Sequence, residues 1–368
     1  MVTDAKKLKK IKVCYILAYK SPNYIRTLAL VDMLKACDDI ELFEVRNTTK
    51  GFLRYAQTLA KLVACRIKYR PHIYILGFRG YEIFLPARLL TVGRPLIYDE
   101  FINLYDWFIL EHKKFDNKSI FARVIKFYSK ITLKLSARVL TDTKLNAAFS
   151  TRLHNITKDK FVSVYVGTDE STFKPVPAGQ NLNKPLEVFF YGTMLPLHGL
   201  EVILEAIEKL KDKPIHFTIV GGKGTQYESK MNRYIDNKNL KNLTYKNWVE
   251  YKELPKLIAD ADVCLGGPFG DTSQSSKVIT GKTFQFLAMA KLTLIGKISE
   301  ETGFKDEDNC LIIRQGSSEQ LASKIKWALE NRDKLAKIGK QGRSLYEQKF
   351  SQRAQKNTLD KTIQDLVD

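Results

Sequence analysis

Residues 186–211 read LEVFFYGTMLPLHGLEVILEAIEKLK. The opening run, LEVFFY over 186–191, is almost continuously apolar, which suits a strand buried on both faces of a parallel sheet. From Leu200 onward the apolar residues Leu200, Ile203, Leu204 and Ile207 recur at helical spacing. Between strand and helix lies a turn bounded by Gly192 and Gly199. Glycines permit close backbone approach, and a helix start offers free N–H groups and the positive end of a dipole. A phosphate or pyrophosphate fits such a place. Thr193 can donate a hydroxyl there, and His198 can add a charge or a hydrogen bond. Taken alone, the two glycines are explained equally well by an ordinary strand-to-helix turn.

The same rhythm extends in both directions. Towards the C-terminus, strands are predicted at 215–220 (IHFTIV), 243–246, 263–265, 292–295 and 310–313, with helices at 282–290, 318–330, 333–350 and 352–367. Towards the N-terminus, short apolar strands fall at 12–17 (KVCYIL), 40–45, 72–76, 95–98, 137–141 and 161–166, with helices at 25–36 and 51–69. The stretch 172–184 is rich in Pro, Gly and Asn and reads as the domain boundary. The expected fold class is α/β: two Rossmann-like, doubly wound domains facing each other across a cleft. The domains are set at 1–170 and 171–350, with a final helix over 351–368. A chain of 368 residues agrees with two domains of about 100–200 residues each.

In open α/β sheets, ligands bind outside the C-terminal ends of the strands. Two further loops meet that condition. One follows the strand 215–220 and reads Gly221-Gly222-Lys223-Gly224; a phosphate loop and a flexible loop tip account for it equally. The other runs from Gly266 through Gly270, Lys277 and Lys282 to Gln285, a polar, glycine-bearing loop entering a short apolar helix. Lys277 and Lys282 stand on the approach to that helix, where donor phosphates would meet them. Gln285 lies one turn further on and suits a ribose hydroxyl. Two ordinary solvated lysines are the plain alternative.

Composition removes several function classes. The five cysteines show no close pairing and read as small core residues in a reducing compartment. The five histidines lie far apart, so no zinc site is expected, and no cofactor is expected. No run reaches the ~18–20 apolar residues of a membrane span. The apolar run 13–17 is too short for a signal peptide, so a cytoplasmic location is expected.

The net charge is +20, and it is lopsided: residues 1–170 carry 30 Lys+Arg against 16 Asp+Glu. Arg123, Lys126, Lys130, Lys134 and Arg138 are spaced by three or four and would form one basic stripe on a helix. Residues 52–70 are a second basic amphipathic stretch. An anionic membrane surface is the expected partner, with the protein peripheral on its inner face. No recognisable nucleic-acid-binding signature accompanies the charge, so no nucleic acid is expected.

Several of these segments carry a resemblance. YGTMLPLHGLEVILEAI, FTIVGGKG, ELPKLIADADVCLGG, GKTFQFLAMAKLTLIG and VGTDESTFKP occur in an order and spacing similar to the donor-binding domain of the retaining GT-B glycosyltransferases of family four, the group 1 type. The match covers about residues 160–345; the first half resembles the family only through its strand–helix rhythm and PLIYDEF. The resemblance implies a nucleotide-sugar donor on the C-terminal domain and an acceptor, a growing glycan or a lipid-linked molecule, on the N-terminal one. It further implies transfer with retention of anomeric configuration and no metal ion, the departing diphosphate being stabilised by basic side chains and helix N-termini.

This chain departs from the family pattern. Thr193 and His198 stand where an arginine and a lysine are usual, and Lys277 and Gln285 where two glutamates are usual. The first strand is followed by Ala18-Tyr19-Lys20-Ser21-Pro22 in place of a glycine-rich loop. A divergent subgroup is therefore implied. Asp99, at the end of a predicted strand, and Asp106 are the expected catalytic carboxylates; helix capping is the competing role for each. Two other functions are compatible with this scaffold: a degenerate chain that binds nucleotide or membrane without transfer, and a nucleotide-sugar epimerase.

Overall fold

The computed structural model describes residues 10–21, 24–176, 184–238 and 240–367. The start of the chain, Pro22 in the first-strand loop and residues 177–183 of the expected boundary stretch lie outside the described residues. The chain divides into two compact units, Met1–Val166 with Gln352–Asp368, and Gly167–Ser351.

The first unit runs β1 (Ile11–Leu17), α1 (Ile25–Lys35), β2 (Ile40–Arg46), α2 (Leu53–Tyr69), β3 (Ile73–Leu76), α3 (Phe84–Leu90), β4 (Leu96–Asp99), α4 (Ile120–Leu135), β5 (Arg138–Thr141), α5 (Lys144–His154) and β6 (Phe161–Ser163). Its six strands are parallel, in the order β2-β1-β3-β4-β5-β6. Alternate residues serve opposite faces. Val13, Tyr15 and Leu17 of β1 pack with α1, whereas Cys14 and Ile16 pack with α2 and α3. This two-sided burial is why the strands read as unbroken apolar runs.

The second unit runs β7 (Leu186–Gly192), α6 (Leu200–Lys209), β8 (Ile215–Gly221), α7 (Gln226–Lys238), β9 (Leu243–Lys246), α8 (Leu254–Asp260), β10 (Val263–Leu265), α9 (Gly281–Ala288), β11 (Leu292–Gly296), β12 (Leu311–Ile313), α10 (Ser318–Glu330) and α11 (Arg332–Leu345). Its six strands are also parallel, in the order β12-β11-β10-β7-β8-β9. The chain winds one way from β7 and the other way from β10, so the topological switch point lies between these two strands. The last helix, α12 (Gln352–Gln364), belongs to the first unit, where Leu359 and Ile363 are buried against α1.

Two expectations need correction. The helix predicted over 333–350 ends at Leu345 and continues as a wider π turn over Tyr346–Phe350. The basic stripe loses its last member. α4 stops at Leu135, Ser136 is extended with its hydroxyl turned back to the Thr132 carbonyl at 2.7 Å, and Arg138 opens β5. Arg123, Lys126, Lys130 and Lys134 remain on the helix.

Candidate active site

At the switch point of the second unit, two glycine-bearing loops leave the ends of β7 and β10 and lock together. A Cβ on Gly199 would lie 2.4 Å from the Gly270 nitrogen, and one on Gly270 would lie 2.3 Å from the Pro196 carbonyl oxygen. Gly270 N–H donates to the Leu197 carbonyl at 3.0 Å. Side chains at either position would push the loops apart. The ends of β7 and β8 are equally close: a Cβ on Gly221 would meet the Gly192 oxygen at 1.8 Å. Gly222 follows directly, with its Cβ position 3.4 Å from the Tyr245 hydroxyl.

Lys282 sits in the first turn of α9 and is buried. Its ammonium has no hydrogen-bond partner among the described residues and lies 4.9 Å above the ring of Phe190. Burial pushes its pKa down from 10.5 to about 7. His198 is buried beside it. A Cβ on Gly192 would be 3.0 Å from the His198 ring and 3.5 Å from Lys282 Cε, so the three residues converge. Burial, then the charge of Lys282, hold His198 well below 6.5 and therefore neutral at pH 7. Its Nδ1 also lacks a partner among the described residues. An unpaired buried ammonium is costly unless an anion arrives to meet it. This corner, where α6 and α9 both begin, has the chemistry of a phosphate site.

Thr193, Lys277 and Gln285 are placed differently. Thr193 is exposed beside this corner. Lys277 is buried with its ammonium 2.7 Å from the Ser273 hydroxyl, one turn back in its own loop. Gln285 is buried on α9, and its Oε1 accepts from the Tyr191 hydroxyl. Tyr191, which the sequence offered only as a strand residue, thus holds the glutamine side chain in place.

In the first unit, Asp99 ends β4 but is not open at the strand end. It is wholly buried in an ion pair with Arg26 of α1: Arg26 Nη2 donates to Oδ1 at 2.8 Å and Nε at 3.1 Å, while Nη1 donates to the Val164 carbonyl. Asp106, at the head of a π turn over Asp106–Glu111, is also buried. Both carboxylates are buried, where an open strand end was expected for Asp99, and the Arg26–Asp99 pair ties α1 to β4.

Glu100 is the neighbour that the sequence leaves undistinguished. Its Oε1 accepts from Asn103 Nδ2 at 2.9 Å, and its Oε2 has no partner among the described residues. Burial raises its pKa to about 7. Asn103 Nδ2 also reaches the Ser150 hydroxyl at 3.0 Å and lies 3.3 Å from Nε2 of His154, which burial holds down to about 4.

Residues 201–358 match a protein-family model described as glycosyl transferase-like. No curated protein matches the sequence. Among solved structures, HepE from Anabaena in complex with UDP and glucose is similar over 97% of this chain and 100% of its own, at 16% identity and a TM-score of 0.70. Sucrose-phosphate synthase from Thermosynechococcus elongatus is similar over 97% and 99%, at 12% identity and a TM-score of 0.74. TarM from S. aureus, crystallised as a mutant with UDP among its ligands, is similar over 83% of this chain and 59% of its own, at 16% identity and a TM-score of 0.62. The fold is GT-B.

In this GT-B chain the glycosyl transferase-like segment begins at the second residue of α6 and includes Gly221, Gly222, Gly270, Lys277, Lys282 and Gln285. Gly192, Thr193 and His198 themselves precede it. Among the described residues, no group of three His, Cys, Asp or Glu is placed to hold a metal ion, and no helix is long and apolar enough to cross a membrane.

Proposed function

We propose that this protein transfers a sugar from a nucleoside-diphosphate sugar, with UDP as the nucleotide, to a glycan or lipid-linked acceptor. The observation that carries this reading is the buried, unpaired ammonium of Lys282 beside neutral His198, at the switch point of a glycosyl transferase-like unit. Lys282 and the N-termini of α6 and α9 take the diphosphate charge, and His198 supplies a neutral hydrogen bond. Gly192, Gly199, Gly221, Gly222 and Gly270 let the backbone approach. Gln285, steadied by Tyr191, and the exposed Thr193 reach the donor's hydroxyls, and Lys277 supports the loop that leads into α9. UDP is named because HepE is known in complexes with UDP and UDP-glucose.

The transfer retains configuration and uses no metal ion. The bond from the anomeric carbon to the diphosphate breaks, the acceptor oxygen bonds on the same face, and its proton passes to the departing phosphate oxygen. Asp99 and Asp106 support the acceptor side of the reaction, Asp99 by pinning α1 to the end of β4 through Arg26. The protein works peripherally at the anionic cytoplasmic face of a membrane, drawn there by Arg123, Lys126, Lys130 and Lys134.

A thermal-shift series against nucleoside diphosphates tests the donor. UDP at about 100 times its Kd should stabilise the fold by roughly 2.7 kcal/mol, and UDP-sugars should be turned over. A shift without transfer would favour a binding scaffold, the reading suggested by Lys277 and Gln285 in the places of the family glutamates. No shift with any nucleotide would sink both.

A further inference from the structure

Three adjacent helices on one face of the first unit's sheet turn apolar side chains to solvent. The inner sides of α2, α3 and α4 pack on that sheet through Leu62, Phe84 and Leu133. α3 lies between the other two and contacts both. Arg66 of α2 donates to the Val92 carbonyl, just past α3, at 2.9 Å. The Tyr128 hydroxyl of α4 donates to the Tyr81 carbonyl, just before α3, at 2.5 Å. The outer sides carry large apolar residues as well: Ile67 is 71% exposed, Leu89 73% and Phe127 65%, with Val92, Phe121 and Val124 also exposed.

On α4 the division is sharp. Val124, Phe127, Ile131 and Leu135 recur at spacings of three and four, and Arg123, Lys126, Lys130 and Lys134 run beside them, each one residue earlier. The helix therefore has three faces: one packed on the sheet, one apolar and outward, one basic. The three helices together carry nine Lys or Arg and no Asp or Glu. Large apolar side chains exposed together on three adjoining helices mark an interaction face.

We propose that the α2–α3–α4 face inserts into the acyl boundary of an anionic membrane, with the α4 basic stripe against the headgroups. This rests on the membrane reading given above and deepens it, from adsorption by charge to burial of apolar side chains in lipid. Charge selects the occupant. A second copy docked face to face would set the Arg123–Lys134 stripe against like charge, whereas an anionic bilayer offers hydrocarbon and negative charge together. α3 is central to the face and carries a single charge, Arg88, so electrostatic adsorption alone gives it no role.

The test is co-sedimentation of the full chain with phosphatidylcholine–phosphatidylglycerol vesicles at two salt concentrations. At about 1 M salt, where charges are screened beyond about 3 Å, binding should persist at a substantial fraction of its low-salt value. The double variant Leu89→Glu/Phe127→Glu should lose roughly tenfold or more in affinity at both salts. Both positions are exposed, so the variant should fold, as circular dichroism and an unchanged UDP-induced thermal shift would show. The triple variant Arg123→Gln/Lys130→Gln/Lys134→Gln should weaken binding chiefly at low salt. Complete loss at high salt, with the Leu89/Phe127 variant binding like the parent, would overturn insertion and leave adsorption by charge. No binding at either salt would overturn insertion and the membrane reading with it, while leaving the donor reading untouched. Self-association abolished by the same double variant, without vesicle binding, would assign the face to a second copy instead.

Discussion

Arg26 in the first unit and Lys282 in the second are both buried cations near the strand ends of a parallel six-stranded sheet, and they live in opposite circumstances. Arg26 is saturated, with Asp99 and the Val164 carbonyl accepting from its guanidinium. Lys282 has an aromatic ring below it and no acceptor among the described residues. A buried pair costs little more than it returns, so it persists as structure; a buried single charge is relieved by losing its proton or by meeting an anion. The difference separates a cation that ties a helix to a sheet from one that we propose meets the donor's diphosphate.

The largest effect should come from breaking the pair. Arg26→Met leaves Asp99 buried without its counter-charge and should cost about 3–5 kcal/mol in urea unfolding. A loss below about 1 kcal/mol, the scale of an exposed pair, would show that the two cations do not differ as described. Lys282→Met should do the reverse. UDP affinity by calorimetry should fall by roughly 1.5–3 kcal/mol, the range of a charge-assisted hydrogen bond. The ligand-free variant should be as stable as the parent or more so. A large loss of ligand-free stability would make Lys282 structural and erase the contrast.

Protons sharpen the comparison. Lys282 titrates near 7 in the folded chain against an ordinary 10.5, so the unfolded state binds more protons between those values. Stability of the ligand-free protein should rise with pH across that window on account of this group. UDP binding should take up a proton above about pH 7 and weaken as pH rises, by at most tenfold per unit; calorimetry in buffers of different ionisation enthalpy reads the uptake. Lys282→Met should remove both trends.

A smaller effect with the opposite sign belongs to Glu100. Its folded pKa, about 7 against an ordinary 4.5, means that the folded state binds more protons between these values. Its stabilising contribution is present below about pH 4.5 and is lost as pH rises through 7. Glu100→Gln should flatten that part of the stability profile. An unchanged slope would mean that Glu100 titrates normally and that its Oε2 meets solvent.

How far the sequence carries can be judged from particular residues. The strands were readable because parallel strands covered on both sides have no polar face to interrupt them, as in KVCYIL and LEVFFY. The glycine turn at 192–199 was readable because the change from strand to helical periodicity happens across it. α3 was not read as a helix. FLPARLL is short, contains a proline and shows no full amphipathic period, yet it became the centre of the exposed apolar face. The basic stripe was overextended to Arg138 because spacing alone does not reveal that the helix stops at Ser136.

The sequence by itself determined the alternation of strands and helices, the glycines at the strand ends and the excess of positive charge in the first half. These are properties of neighbouring residues, within the range of a helical turn or a strand. Only the tertiary structure decided which charges were answered. Asp99 meets a guanidinium 73 positions away, and Gln285 meets a tyrosine 94 positions away. Lys282 is brought beside Gly192 and His198 by the pairing of β7 with β10 and meets no acceptor. Desolvation and pairing depend on what the fold brings within a few ångströms, and local periodicity carries no record of that.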